Sequence, residues 1–335
     1  MKFLVISFAV LFSNLSFAKF SFSLDYPTTN PKFQMIDVSD KSIAADSFHA
    51  PEGISMKSDG TLFVANHKKA TISILDKLFK PKGTIRFNNL PGWIDGESQV
   101  MGIQADKSNN LYIALVNYQG GALVKVNTES YENSIPKVLL RDLGYVNSVH
   151  LDESNDRLFI SVSDNGEIYH LDLKNGDVNI IEGLIFPNGM AQGKEADWLY
   201  ISQTMESNII RINLKDTSIR EIVWVGGNAF NSWPDGLTYS KEHDMFLVAD
   251  NRSGSILSIT PSGELIKQVK IFGKEGKSAP ASLIIQDGNV LFTDLWVADM
   301  PLVLIKDYLD GVKYKKNAYK IPLTNFLLLS KSELN

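Results

Sequence analysis

Glu52, Asn147, Asn188 and Asp235 are oxygen donors that recur at one position of an internal repeat. Two are carboxylates, two are amides, and no His or Cys stands among them. Such a set suits a hard divalent cation: the carboxylates balance its charge and amide carbonyls fill its shell without adding more. Calcium is the expected ion, with magnesium, manganese or zinc as alternatives. A divalent ion that keeps open positions polarises a carbonyl and acidifies a bound water, so the chemistry in reach is hydrolysis. Read singly, Pro-Asn-Gly at 187–189 and Pro-Asp-Gly at 234–236 would be turns. Their recurrence argues otherwise, because the hairpin turns of the repeat fall later, at Ser58-Asp59-Gly60 and its equivalents.

The elements that must position these residues are repeats themselves. Six copies of one pattern carry their second residue at Glu52, Met101, Asn147, Asn188, Asp235 and Ala281, at intervals of 49, 46, 41, 47 and 46 residues. Each opens with a small-residue step, passes a polar turn, and continues into an apolar run of one form, Leu-Phe-Val or Leu-Tyr-Ile in three copies and Leu-Phe-Ile, Phe-Leu-Val or Leu-Phe-Thr in the others. The spacing is that of a four-stranded propeller blade and too long for a leucine-rich or ankyrin repeat. Further strand-like runs follow each pair, as in Thr71-Ile-Ser-Ile-Leu and Ser255-Ile-Leu-Ser-Ile, with no competing helical period. The expected fold is all-β, a six-bladed propeller with four-stranded blades. Residues 33–38 are expected to pair with the last blade and close the ring, which would remove exposed sheet edges.

In a propeller the first strand of every blade lines the central channel, so the six second residues should form a hexagon at one mouth. Loops after each blade's second strand should surround it. These carry Asn66, Asn117, Asp164, Asn165, Gln203, Asp250, Asn251 and Asp294. Asp250 and Asn251 are the expected substrate contacts among them, and the others read as loop residues satisfying backbone. Trp233 and Trp296 are candidates for an apolar wall. The five histidines are scattered and no serine elbow accompanies them. His150 should face away from the Asn147 side by strand alternation, and His67 could reach the rim.

Composition bounds the rest. Of 335 residues, 44% are hydrophobic and 21% charged, as in a soluble globular protein, and the net charge of -5 argues against a nucleic-acid partner. The expected partner is a small-molecule substrate, with no nucleic acid and no membrane anchor, and the chain is expected to be a monomer. Lys2, the apolar residues 3–12 and Ser16-Phe17-Ala18 predict a signal peptide over residues 1–18 and an exported or periplasmic product. Residues 19–335 then form a single propeller domain. The absence of cysteine excludes disulfides, thiolate metal sites and a cysteine nucleophile.

The Glu…Asn…Asn-Gly…Pro-Asp-Gly series over six repeats resembles the SMP-30/gluconolactonase/LRE-like family of calcium-dependent lactonases, over nearly the whole mature chain. The resemblance implies that Glu52, Asn188 and Asp235 hold a metal ion, that Asn147 lies at the metal or contacts substrate, and that Asp235 is the general base. Two departures bear on substrate. Asn147 is followed by Ser148-Val149 where the family commonly has Asp-Gly. Tyr145 occupies the place from which an Arg helps bind sugar lactones in some members. Tyr145 and Trp233 therefore join Asp250 and Asn251 as expected substrate contacts, and a less polar lactone or ester is expected. The alternative is a non-catalytic ligand-binding or interaction propeller of the royal-jelly/yellow or strictosidine-synthase-like kind, with a structural calcium ion.

Overall fold

A computed structural model describes residues 33–37, 42–43, 50–87, 90, 98–117, 120–131, 136–273, 276–286, 289–294 and 318–322. The expected signal peptide and Trp296 lie outside the described residues. Short runs of β-branched and aromatic residues, separated by Asp, Asn and Gly turns, dictate antiparallel hairpins. The first turn shows how. Thr61 donates its amide to Asp59 Oδ1 at 2.8 Å, Gly60 donates to Lys57 O at 3.0 Å, and Gly60 takes a φ of +84° that a side chain would disfavour.

The result is an all-β propeller built on four-stranded antiparallel blades. Five sheets have four strands each. The innermost strands of the first four sheets are Pro51–Met56, Gln99–Ala105, Val146–Asp152 and Pro187–Gln192. The sheet that begins at Pro234–Ser240 has six strands, and the one that begins at Pro280–Gln286 is again four-stranded. Among the described residues the single helical turn is the 3₁₀ segment His67–Lys69. No helix there is long and apolar enough to cross a membrane.

The expectation of four strands in every sheet, with the ring closed by residues 33–38, needs correction. Phe33–Asp37 runs parallel to Leu265–Gly273 and adds to the outer edge of the fifth sheet, not to the last. The last sheet receives a different N-terminal piece, Ser42–Ile43, paired with Ala318–Pro322. Leu265–Gly273 is nine residues long and offers a long open edge, which a neighbouring chain segment satisfies by backbone hydrogen bonding.

The core lies between successive sheets rather than in one central mass. Phe63 and Ile72 of the first sheet pack with Val100, Ile113 and Val124 of the second. Phe159 and Ile168 meet Met190 and Ile201, and Tyr200 meets Leu237 and Phe246. Leu291, from the last sheet, packs with Ile54, Leu62, Val64 and Leu75 of the first. Flat faces stacked in this way leave the inner strands free to surround a channel.

Candidate active site at the channel mouth

Each of the six inner strands is irregular at the same place. Register shifts separate Pro51 from Ile54, Val100 from Ile103, Val146 from Val149, Pro187 from Met190, Pro234 from Leu237 and Pro280 from Leu283. Glu52, Met101, Asn147, Asn188, Asp235 and Ala281 all fall inside these bulges, released from the ladder to the second strand. Bulges of this type re-aim side chains and recur beside functional sites. The following residue must be small or specially held. A β-carbon on Gly189 would stand 2.3 Å from Asp235 O, and one on Gly236 would stand 2.4 Å from Ala281 O. Where the residue is serine, a hydroxyl of the second strand accepts its amide: Ser148 N bonds Ser161 Oγ at 2.9 Å and Ser282 N bonds Thr293 Oγ1 at 3.0 Å. Pro-Asn-Gly and Pro-Asp-Gly are thus strand starts where neighbouring inner strands touch, not turns.

The four oxygen donors are all buried. Burial pushes the Glu52 carboxyl up to about 7. Its Oε2 is buried without a hydrogen-bond partner. The Asp235 carboxyl is raised well above the carboxylate range, first by burial and then by the charge of Glu52, with Asp250 adding to it and a hydrogen bond from Asn188 opposing it. Two carboxyls that disfavour each other's ionisation face one another here. Asn188 also reaches Thr204 Oγ1 through Nδ2 at 3.3 Å, and Thr204 Oγ1 donates to Pro234 O at 2.8 Å. With its amide hydrogens directed to Asp235 and Thr204, Asn188 keeps its carbonyl oxygen for another partner. The structure therefore brings Glu52, Asn188 and Asp235 together. Asn147 occupies the equivalent buried position of its strand.

An orphaned carboxylate oxygen, two mutually repelling carboxyls and amide oxygens fit a hard divalent ion. Among the described residues no group of three or more His, Cys, Asp or Glu side chains could hold a metal, so amide oxygens would have to complete the shell.

The rim residues divide. Asp250 Oδ1 accepts the Trp233 amide at 2.8 Å, Asp164 Oδ1 accepts that of Tyr145 at 2.6 Å, Gln203 Oε1 that of Ile185 at 2.8 Å, and Asp294 Oδ1 that of Ala279 at 2.8 Å. This latch, from the end of a sheet's second strand to the connection entering the inner strand of that same sheet, repeats in four sheets. It gives Asp250 a bracing role in addition to its place near Asp235. Asn251 donates its amide to Trp233 O at 3.0 Å, and the Trp233 indole N–H donates to Ala229 O while Arg252 lies over its ring at 5.3 Å. On the far side, Met101 Sδ lies 3.1 Å from His67 Nδ1 and 3.9 Å from the Tyr145 hydroxyl. Tyr145 and His67 thus sit together at the mouth beside Met101. The Met101 neighbourhood was not anticipated, because a methionine between two polar rim residues carries no motif.

Below the mouth, a cavity of about 360 Å³ is lined by residues of all six inner strands, including Ile54, Gln104, His150, Gln192, Leu237 and Ile284. His150 faces this channel and its Nε2 lies 3.2 Å from Gln192 Oε1. Gln192 Nε2 in turn reaches Asp152 Oδ2 at 3.2 Å, as does Arg157 Nε at 3.1 Å. Burial alone would raise the Asp152 carboxyl, yet bonds from Asn155, Ser154 and Arg157 and the guanidinium charge outweigh it and hold it at about 2.

A propeller with a buried pair of acids in bulged inner strands is the class that fold and site define. Residues 145–282 match the SMP-30/Gluconolactonase/LRE-like region, in line with the resemblance read from the repeats. That stretch holds Asn147, Asn188 and Asp235, while Glu52 lies outside it. Among solved structures, the chain is similar to a luciferin-regenerating enzyme, with 15% identity, 84% of this chain and 94% of that chain covered, and a TM-score of 0.66. It is also similar to regucalcin from Agrobacterium tumefaciens, a calcium-binding protein, at 14% identity, coverages of 86% and 95%, and a TM-score of 0.65. A gluconolactonase from Xanthomonas campestris follows at 14% identity, coverages of 74% and 84%, and a TM-score of 0.60. At these identities the likeness establishes the fold. No curated protein matches the sequence.

Proposed function

We propose that the protein is a divalent-metal-dependent hydrolase that opens a lactone or related ester at the channel mouth. The observation that carries this reading is Glu52 Oε2, buried without a partner beside a second raised carboxyl, Asp235. Burying two such acids is costly unless a cation joins them. Glu52, Asn147, Asn188 and Asp235 would hold the ion, calcium first, and calcium binding by the regucalcin neighbour supports that choice. When bound, the ion supplies a Lewis acid for the substrate carbonyl and acidifies a water molecule.

The rest falls to the chain. Asp235, its carboxyl raised by burial and by the charge of Glu52, is the group placed to take a proton from water. Asn188 orients it through a hydrogen bond, and Thr204 holds Asn188. Glu52 would be ionised opposite Asp235 once a cation is bound. Tyr145 and Met101 close the mouth on one side, Asn251, Asp250 and Trp233 on the other, and a small-molecule substrate would enter between them.

This reading takes the six sheets as one ring of six blades, supported by Leu291 in the first sheet's core and by Thr293 Oγ1 donating to Glu52 O at 2.5 Å. It also takes the chain as an exported monomer cleaved near Ala18, supported by Lys2 and the apolar residues 3–12. The test is metal analysis of purified protein together with hydrolysis of lactone and aryl-ester panels, with and without chelator. Chelator-sensitive turnover supports the reading. Bound calcium with no turnover on any substrate would leave a binding propeller with a structural ion.

A further inference from the structure

Most exposed large apolar side chains among the described residues lie on outer strands or on turns away from the mouth, such as Ile222, Val178 and Leu78. Three do not. Ile185, Met205 and Phe230 are 49%, 41% and 83% exposed. Ile185 and Phe230 belong to the connections that lead into Pro187–Gln192 and Pro234–Ser240, and Met205 belongs to the loop after Trp198–Gln203.

Hydrogen bonds tie these three segments into one wall. Thr204 N donates to Phe186 O at 3.2 Å, Gly226 N donates to Ser207 O at 2.7 Å, and Ser207 Oγ donates to Ser232 O at 2.6 Å. The 204–207 loop, which carries Met205, is therefore stitched to the connection that carries Ile185 on one side and to the connection that carries Phe230 on the other. The wall is continuous with the site, because Thr204, next to Met205, bonds both Asn188 and the carbonyl of Pro234.

Phe230 is held out rather than left loose. Its amide donates to Asn228 Oδ1 at 3.0 Å and its carbonyl accepts Arg252 Nε at 3.1 Å. The next turn is closed by Ser232 N to Asn228 O at 3.1 Å. A braced loop that presents an aromatic ring to water has its ordering cost already met before anything binds, which is how a recognition surface gains affinity. Three apolar side chains offer nothing to the hydroxyls of a polyhydroxylated ring, whereas a hydrocarbon chain covering them removes apolar surface from water on both sides.

We propose that Ile185, Met205 and Phe230 form a subsite for a hydrocarbon substituent, so that the substrates are alkyl-bearing lactones or esters rather than sugar lactones. This rests on the hydrolase reading for the reacting end, while the subsite itself can be tested by binding alone. The probes are γ-decalactone and γ-butyrolactone, which share the ring and differ in the chain. With calcium-loaded protein, kcat/KM should favour γ-decalactone by about tenfold or more. In Met205→Ser/Phe230→Ser, whose changes sit on exposed positions and whose melting curve checks folding, that ratio should fall several-fold towards one. Ile222→Ser, an equally exposed apolar site on an outer strand, should leave the ratio as it was. Equal rates for the two lactones, or a ratio that the double variant preserves, would overturn the subsite and leave the hydrolase reading standing. Calorimetry on Asp235→Asn separates the two ideas. Binding of γ-decalactone that the double variant loses, in a protein whose wild type hydrolyses neither lactone, would retain the subsite and sink the hydrolase. Binding of neither lactone would overturn the subsite.

Discussion

Glu52 and Asp152 are buried acids at opposite ends of inner strands around one channel, and their surroundings treat them in opposite ways. Glu52 is the second residue of its strand, has an oxygen without a partner, and is pushed up to about 7. Asp152 is the last residue of its strand, takes bonds from Ser154, Asn155, Arg157 and Gln192, and is held at about 2. One fold thus contains a carboxylate completed by the protein and a carboxylate left for something else to complete. Both side chains are buried, and what lowers Asp152 is the set of hydrogen bonds it accepts together with the Arg157 charge.

The comparison is broken most decisively at the mouth. Asp235→Asn is expected to lower kcat by about 10²–10⁴-fold, as loss of a general base does, without lowering the melting temperature of the chelated protein. Retention of the full rate with metal still bound would remove Asp235 from its role as base.

The next effect is on pH dependence, where the two ends have opposite signs. The folded-state value for Glu52, about 7, lies above the ordinary 4.5, so the folded protein keeps a proton that the unfolded chain has released. Its contribution is fully present below about pH 4.5 and is lost as pH rises through about 7, on the order of 3 kcal/mol without metal. Asp235, also raised, acts in the same direction. Asp152 contributes stability above its ordinary value of 3.8 and loses it as pH falls through about 2. Chelated protein should therefore melt at lower temperature near pH 8 than near pH 5, and calcium should restore the loss. A flat profile across that range, or no calcium effect, would erase the contrast. Glu52→Gln should shrink the dependence to what Asp235 contributes, and abolish the calcium effect with it.

Smaller effects follow. Asp152→Asn leaves Arg157 without its buried anion and should lower stability by about 1–3 kcal/mol by denaturant titration, with kcat unchanged. Loss of turnover at unchanged stability would show that the lower channel takes part in the chemistry. Thr204→Val removes the hydroxyl that bridges Asn188 and Pro234 O. It should cost about 1 kcal/mol of stability and roughly 10-fold in calcium affinity by calorimetry, and an affinity equal to wild type would show that Asn188 needs no such support.

These contrasts also mark what was legible in the sequence. The repeat was legible because each copy carries its own hairpin chemistry, and the alignment of Glu52, Asn188 and Asp235 followed from it. The bulges were not, since a register shift depends on how closely the neighbouring inner strand approaches, as at Gly189 and Gly236. The pairing of Phe33–Asp37 was misplaced for a related reason: an edge strand follows whichever sheet offers an open edge of adequate length, which no local pattern encodes. Sequence position alone marks Asp250 as a substrate contact, and its latch to the Trp233 amide emerges only beside the matching latches of Asp164, Gln203 and Asp294. The site's acids were readable by type and spacing. Their opposite electrostatics depended on partners brought in by folding.

The repeated register shift has a practical corollary. A residue seated in such a shift takes no part in the ladder, so its identity can change without asking anything of the sheet behind it. Each inner strand therefore begins with an interchangeable socket, and the chain has fitted four with oxygen donors, one with the thioether of Met101 and one with the methyl of Ala281. Selection can retune the charge at the mouth one socket at a time, and so can an engineer, beginning with the two that hold no oxygen.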